Sequence, residues 1–105
     1  MDLNVEQQRE IIGWASAIPE ILAVRLYGSR ARGTSHQQSD VDLAITLAGD
    51  ESEQLQTVVV YFRAWTEELS TRLSIRAHLE PYLPGTCVKQ WSDEHSVLLF
   101  DRPPV

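Results

Sequence analysis

The sequence GSRARGTSHQQSDVD, residues 28–42, is the most informative part of the chain, because it joins two apolar strand patterns. A Gly-Ser turn follows the apolar run 21–27, and ten residues later Asp40 and Asp42 open a second apolar run. Carboxylates two residues apart on a strand point to the same face, about 6.6 Å apart along the chain. That spacing lets them share divalent cations about 3.5–4 Å apart, as two-metal phosphoryl-transfer sites require. Since a Gly-Ser turn at a helix start can hold phosphate, the stretch predicts a nucleotide site.

Length, composition and charge limit the class of protein. With 105 residues the chain is expected to form one domain, residues 1–105, which leaves little room for a separate substrate-binding domain. Its hydrophobic content of 43% and charged content of 23% are typical of a globular domain. The net charge of −6 argues against nucleic acid as a general ligand, because binding a phosphate backbone needs a basic surface.

Neither cysteine content nor apolar runs indicate a secreted or membrane protein. Cys87 is the only cysteine, so it forms no internal disulfide, and it is predicted to be a small, partly buried apolar residue. No run approaches the roughly eighteen apolar residues of a membrane span. The first residues lack the basic and then apolar pattern of a signal peptide. We therefore expect a cytoplasmic protein with no membrane partner.

Apolar periodicity predicts the order helix, strand, turn, strand, helix, strand, strand. This order is typical of an α/β (α+β) fold in which helices pack on a small mixed sheet. Asp2 is the predicted cap of the first helix, and Pro19 marks its end. The remaining predicted elements are strand 21–27, turn 29–32, loop 33–39, strand 40–47, helix 51–73, strand 73–79, a loop from Pro81, a short helix or turn at 86–95, and strand 96–100.

Helix 51–73 is expected to contribute core residues, and the third strand is expected to contribute further candidate site residues. The apolar stripe predicted for helix 51–73 consists of Leu55, Val58, Val59, Phe62, Trp65, Leu69 and Leu73. Trp14, Trp65 and Trp91 are predicted to be core or interface residues. On the third strand, apolar Ile75, Ala77 and Leu79 alternate with Arg76, His78 and Glu80, which should therefore lie on the face away from the core.

The Gly-Ser turn, ten residues and Asp-Val-Asp together resemble the signature of the DNA polymerase β nucleotidyltransferase superfamily. More narrowly, GSRARG at 28–33 and SDVDL at 39–43 resemble the minimal nucleotidyltransferases. These are small prokaryotic proteins that are often paired with a HEPN-domain partner in toxin–antitoxin modules. The resemblance implies a nucleotidyltransferase-like fold and places the two halves of the motif in one site.

The resemblance also implies roles for the motif residues. Gly28 and Ser29 would hold the β- and γ-phosphates of a nucleoside triphosphate, with ATP as the expected substrate. Asp40 and Asp42 would bind Mg²⁺, with two ions possible, and would act as catalytic residues. Arg30 and Arg32 either contact the triphosphate or pair with nearby acids. The implied nucleotide-binding set is Gly28, Ser29, Arg30, Arg32 and Ser39.

The third strand departs from the family pattern, because relatives usually carry a third carboxylate there, typically an aspartate. Glu80 is the candidate for this catalytic and metal-binding role, and His78 could instead act as a base or a weak ligand. The resemblance therefore implies transfer of a nucleoside monophosphate, AMP in the expected form, to a hydroxyl on a partner, with release of pyrophosphate. A small HEPN-type protein is the expected acceptor. The alternative is an inactive nucleotidyltransferase-fold antitoxin or regulatory binding subunit.

Overall fold

The computed structural model describes residues 1–83, 85 and 95–103. Cys87, Trp91 and the first nine residues of the predicted helix or turn at 86–95 lie outside these residues.

Three helices and four strands form the described part of the chain, in the predicted order. The sheet is mixed, with strand order β3-β2-β1-β4, in which β1 runs antiparallel to β2 and β4 while β2 and β3 are parallel. The α+β fold class is thus confirmed. The elements are α1 (Val5–Ser16), β1 (Ile21–Tyr27), α2 (Gly28–Arg32), β2 (Val41–Leu47), α3 (Glu51–Leu73), β3 (Ala77–Pro81) and β4 (Val97–Asp101).

The strands divide their side chains between two faces of the sheet. On the covered face, alternate apolar residues pack against α1 and α3, and Trp14 of α1 meets Trp65 of α3 edge to face with ring centroids 6.3 Å apart. The other face, here called the site face, carries Tyr27, Asp42 and His78 side by side on β1, β2 and β3. Alternation along each strand therefore directs the apolar residues to the core and the polar residues to the site face. The buried strand residues of the core are Ile21, Val24, Leu26, Val41, Leu43, Ile45, Leu47, Ala77 and Leu79.

Local capping sets the ends of the helices. Asp50 accepts from the Glu53 N–H while Glu53 accepts from the Asp50 N–H, a capping box that begins α3 at the predicted residue. The cap predicted for α1 is wrong, because Asn4 rather than Asp2 closes that capping box, together with Gln7. No helix in the described ranges is long and apolar enough to cross a membrane.

The structure corrects two boundaries and one apolar stripe. β3 begins at Ala77 rather than at residue 73, because α3 continues through Leu73, and Pro81 ends this strand instead of starting a loop. The buried side chains of α3 begin only at Phe62. Leu55 and Val59, which were predicted to belong to the apolar stripe, are 46% and 84% exposed. Helical period predicts which residues share a side of the helix, but not how far along it the neighbouring elements extend.

Candidate nucleotide site

The turn after β1 approaches the first carboxylate of β2 closely. Gly28 has φ +75°, a left-handed conformation that side chains other than glycine rarely adopt. A Cβ at this position would lie 2.5 Å from Asp42 Oδ2. The closeness follows from the strand pairing, because Tyr27, the last residue of β1, is the register partner of Asp42. Glycine is therefore required here both by the backbone and by the space that the carboxylate occupies.

A cleft of about 490 Å³ opens at this turn. Gly28, Ser29, Arg32 and Asp42, which were predicted to lie in one site, all line this cleft. Tyr27 was missed by the sequence analysis, since an aromatic residue at the end of an apolar strand is typical of a core position. Its place directly before the Gly-Ser turn was the available signal. The cleft is lined by Tyr27, Gly28, Ser29, Arg32, Asp42 and His78.

The cleft makes the ionised form of Asp42 less favourable. Burial raises the pKa of this carboxyl above 3.8, and the negative charge of Asp40 raises it further, while His78 and Arg32 act in the opposite direction. Its side chain is only 25% exposed. Burial, together with the charges of Asp42 and Glu80, likewise raises the pKa of Tyr27 to about 12. Burial is the larger cause of both shifts, and the smaller contribution from the carboxylates is one that a bound cation would offset.

His78 lies between Asp42 and the predicted third carboxylate. The parallel pairing of β2 and β3 sets Asp42 opposite His78, and His78 Nδ1 lies 3.5 Å from Asp42 Oδ1. The other ring nitrogen, Nε2, lies 2.9 Å from Glu80 Oε1. Because a carboxylate can only accept, this nitrogen carries a proton. Glu80 therefore reaches Asp42 through an imidazole and not directly.

The three predicted metal-binding carboxylates do not form a preformed cage. Within the described residues, no group of three His, Cys, Asp or Glu side chains converges on a point that could hold a metal ion. Asp40 precedes β2 and lies 4.0 Å from Arg76, outside the cleft lining. Mg²⁺, however, commonly binds one or two carboxylates together with substrate phosphates. Asp40 and Asp42 repel each other, which a divalent cation would offset, so the donor set fits Mg²⁺ held jointly with a triphosphate.

Arg30 and Ser39 complete the set of predicted site residues, and neither lines the cleft. Arg30 is 5% exposed, and its guanidinium donates to backbone carbonyls of Asp2, Gln37 and Ser39. Ser39 Oγ accepts from the His36 N–H. Arg30 was predicted either to contact the triphosphate or to pair with nearby acids, and its position in the structure fits neither alternative. Arg32 is the arginine that faces the cleft.

One family model matches most of the chain. The family model described as "Polymerase beta, Nucleotidyltransferase" matches residues 9–101. No curated protein gives a match to the sequence.

Solved structures from toxin–antitoxin systems share the fold. A toxin–antitoxin crystallised with AMP-PNP is 22% identical with a TM-score of 0.67, over 90% of this chain and 73% of the other. A mutant of the toxin–antitoxin MntA–HpeT is 21% identical with a TM-score of 0.68, over 94% and 74%. A tri-AMPylated Shewanella oneidensis HEPN toxin in complex with MNT antitoxin gives 18% identity and a TM-score of 0.60, over 90% and 70%.

Proposed function

Because this chain belongs to the polymerase β nucleotidyltransferase family, we propose that it transfers AMP from ATP to a hydroxyl on a partner protein and releases pyrophosphate. The whole chain, residues 1–105, would act as one minimal nucleotidyltransferase domain. The observation that supports this best is the approach of Gly28 to Asp42, where a Cβ would lie 2.5 Å from the carboxylate. That approach supports the proposal because it brings the turn that would bind the phosphates and a carboxylate into one cleft, as phosphoryl transfer requires.

The proposed roles follow from where each side chain lies. The backbone N–H groups of Gly28 and Ser29 and the Ser29 hydroxyl would hold the β- and γ-phosphates, and Arg32 would contact the triphosphate from the same wall of the cleft. Asp40 and Asp42 would hold Mg²⁺ with the phosphates. When bound, Mg²⁺ would offset the charge that develops on the phosphate oxygens.

The acceptor hydroxyl would attack the α-phosphorus in line, and the bond to pyrophosphate would break. The proton of the hydroxyl would pass to the pair formed by His78 and Glu80, which are the proton-accepting side chains beside Asp42. Glu80 is the proposed third carboxylate, and it would act through His78. Most of the rate enhancement would come from positioning and charge, because phosphoryl transfer asks for little covalent chemistry from the protein.

A small HEPN-type protein is the proposed acceptor. One of the structures that share this fold contains an AMPylated HEPN toxin bound to an MNT antitoxin. The domain itself is short, and its net charge of −6 favours a partner with a basic surface over a nucleic acid.

Label transfer tests this proposal directly. The purified protein would be incubated with Mg²⁺, ATP labelled at the α-phosphate, and a candidate HEPN-type protein. We expect label on that protein, and Asp42→Asn should lose transfer by at least about a thousandfold while keeping partner binding. Glu67→Gln, which removes an exposed carboxylate of α3, is the matched control and should behave as wild type. Binding without label from any of the four common nucleoside triphosphates would contradict the proposal.

The second candidate function is a nucleotidyltransferase-fold antitoxin or regulatory subunit that binds its partner without catalysis. The engagement of the Glu80 carboxylate by His78, 2.9 Å away, favours this candidate, because that carboxylate is then not free to bind metal. It predicts that the wild-type protein and Asp42→Asn inhibit the partner equally well with and without ATP. A clear dependence of inhibition on ATP and Asp42 would exclude it.

A further inference from the structure

Arg30 is the one buried charged residue among those that the structure describes. Its Nε and Nη2 atoms donate to the Ser39 carbonyl over 3.1 and 2.8 Å, Nη2 also donates to the Gln37 carbonyl over 3.2 Å, and Nη1 donates to the Asp2 carbonyl over 2.9 Å. Within the described ranges it forms no ion pair. The charge of Arg30 contributes to lowering the pKa of the Asp2 carboxyl, but the hydrogen bonds of the guanidinium go only to carbonyls. Burying a cation without a carboxylate in contact with it is unfavourable, so the arrangement needs a gain elsewhere.

Arg30 connects the two halves of the proposed site. On one side, Arg30 directly follows Ser29 in α2, the turn proposed to hold phosphates. On the other side, its acceptor Ser39 directly precedes Asp40, and the loop between them spans residues 33–39. The fork of a guanidinium fixes both distance and direction, which a single ammonium group cannot do.

Asp2 extends this connection to the middle of the loop. Its N–H donates to the Arg30 carbonyl over 2.7 Å, and its carboxylate accepts from the Ser35 N–H and hydroxyl over 3.2 and 2.6 Å. These hydrogen bonds lower the pKa of the Asp2 carboxyl, so the carboxylate stays an acceptor at neutral pH. Asp2 and Arg30 thus hold the loop at three points: Ser35, Gln37 and Ser39.

We propose that Arg30 is a positioning residue, which sets the separation between the phosphate-binding turn and the metal-binding carboxylates. This inference rests on the proposed function of the cleft. In this role Arg30 contacts neither nucleotide nor metal. It acts by holding the backbone of Ser39, the residue directly before Asp40. Asp40 and Asp42 would hold Mg²⁺ together with the phosphates, so binding of the metal would depend on this separation more than phosphate binding alone would.

Arg102 provides a matched control, because it is also a guanidinium bound to backbone carbonyls. Its Nε donates to the Ile21 carbonyl, and its Nη2 donates to the carbonyls of Ala15, Ser16 and Ile18. These bonds join the end of α1 to the start of β1, at the end of β1 that is remote from Gly28. Arg30→Lys and Arg102→Lys therefore remove the same kind of contact, one between the halves of the site and one away from it.

The test compares nucleotide affinity with and without metal. Calorimetry would measure the Kd of α,β-methylene-ATP, in which the bond that transfer would break is replaced, in Mg²⁺ and in EDTA. We expect Arg30→Lys to reduce the gain in affinity from Mg²⁺ by about tenfold or more, and to leave the affinity in EDTA within about twofold. Arg102→Lys should lower the Tm and keep the Mg²⁺ gain of the wild type. If Arg30→Lys does not fold, Asp2→Ala loosens the same loop and should reduce the gain in the same direction.

A second readout works without any ligand. Amide hydrogen exchange should become faster at both 28–32 and 39–42 in Arg30→Lys, and at neither segment in Arg102→Lys. An unchanged Mg²⁺ gain in Arg30→Lys, or an equal loss in both variants, would overturn the positioning role. Failure of the wild-type protein to bind any nucleotide would instead overturn the proposed function. In that case the exchange pattern alone would decide whether Arg30 fixes these two segments.

Discussion

Neighbouring residues of β2 lie in opposite environments on the two faces of the sheet. Leu43 is fully buried on the covered face, among apolar side chains from α1, α3 and the other strands. Asp42, one residue earlier, is on the site face, where burial and Asp40 raise the pKa of its carboxyl. β2 therefore stabilises the fold through Leu43 on the covered face, whereas the buried carboxylate of Asp42 on the site face lowers the stability.

The difference shows how such a short chain can hold a charged cleft. Because β1 and β2 are fixed by their covered face, Asp42 can be held close to Gly28 although burial and the charge of Asp40 make its carboxylate unfavourable there. Rigid strands position a site more accurately than loops do. Substitutions on the covered face should therefore change the free energy of unfolding by a different amount from substitutions on the site face. At Asp42 the change should have the opposite sign.

The largest expected effect on stability is from Leu43→Ala. This side chain has no exposed surface, and its removal leaves a cavity beneath both helices. We expect the free energy of unfolding to fall by about 3 kcal/mol, measured by urea denaturation. A loss below about 1 kcal/mol would mean that the covered face collapses around the cavity and is not the rigid support inferred here.

Gly28→Ala tests how closely the site face is packed. The left-handed backbone and the 2.5 Å approach to Asp42 Oδ2 should together lower the free energy of unfolding by about 2 kcal/mol. Gly13→Ala is the control, because a Cβ there meets nothing within 4 Å inside α1. It should stabilise the protein by about 0.5–1 kcal/mol. Equal effects of the two substitutions would contradict the close approach.

Asp42→Asn should have the opposite sign at neutral pH. The folded protein holds a proton on this carboxyl more tightly than the unfolded chain, whose pKa is near 3.8. Stability is therefore lost as the pH rises through the raised pKa, and an amide has no such loss. Urea denaturation at pH 4 and pH 7 should show the variant gaining relative to wild type at pH 7. A relative loss there would show that the contact with His78 outweighs burial.

The parts of the fold that local chemistry controls could be predicted from the sequence. The bounds of β1 and α3 follow from Gly28 and from the capping pair Asp50 and Glu53, which act within a few residues. The meeting of Ser29 and Asp42 in one cleft was predicted from the motif and the family resemblance, and the antiparallel pairing of β1 and β2 brings it about.

The features that sequence reasoning missed depend on distant parts of the chain. Arg30 is held by the Asp2 carbonyl, 28 residues away in sequence, and no local pattern predicts a buried guanidinium bound only to carbonyls. The cap of α1 was predicted at Asp2, but Asn4 caps the helix, and the Asp2 carboxylate accepts from Ser35 instead. His78 could be placed on the site face, but its bond to Glu80 could not.

The smallest expected effect concerns the side of α3 that faces away from the sheet. Val59 is 84% exposed, so Val59→Ala removes little buried surface and replaces a β-branched residue by a better helix former. We expect a gain of about 0.5 kcal/mol or less by urea denaturation. Leu69→Ala, at a position with no exposed surface on the same helix, should instead cost about 3 kcal/mol. A loss above about 1 kcal/mol at Val59 would show that this residue is buried in the protein in solution, as the periodicity of the sequence first predicted.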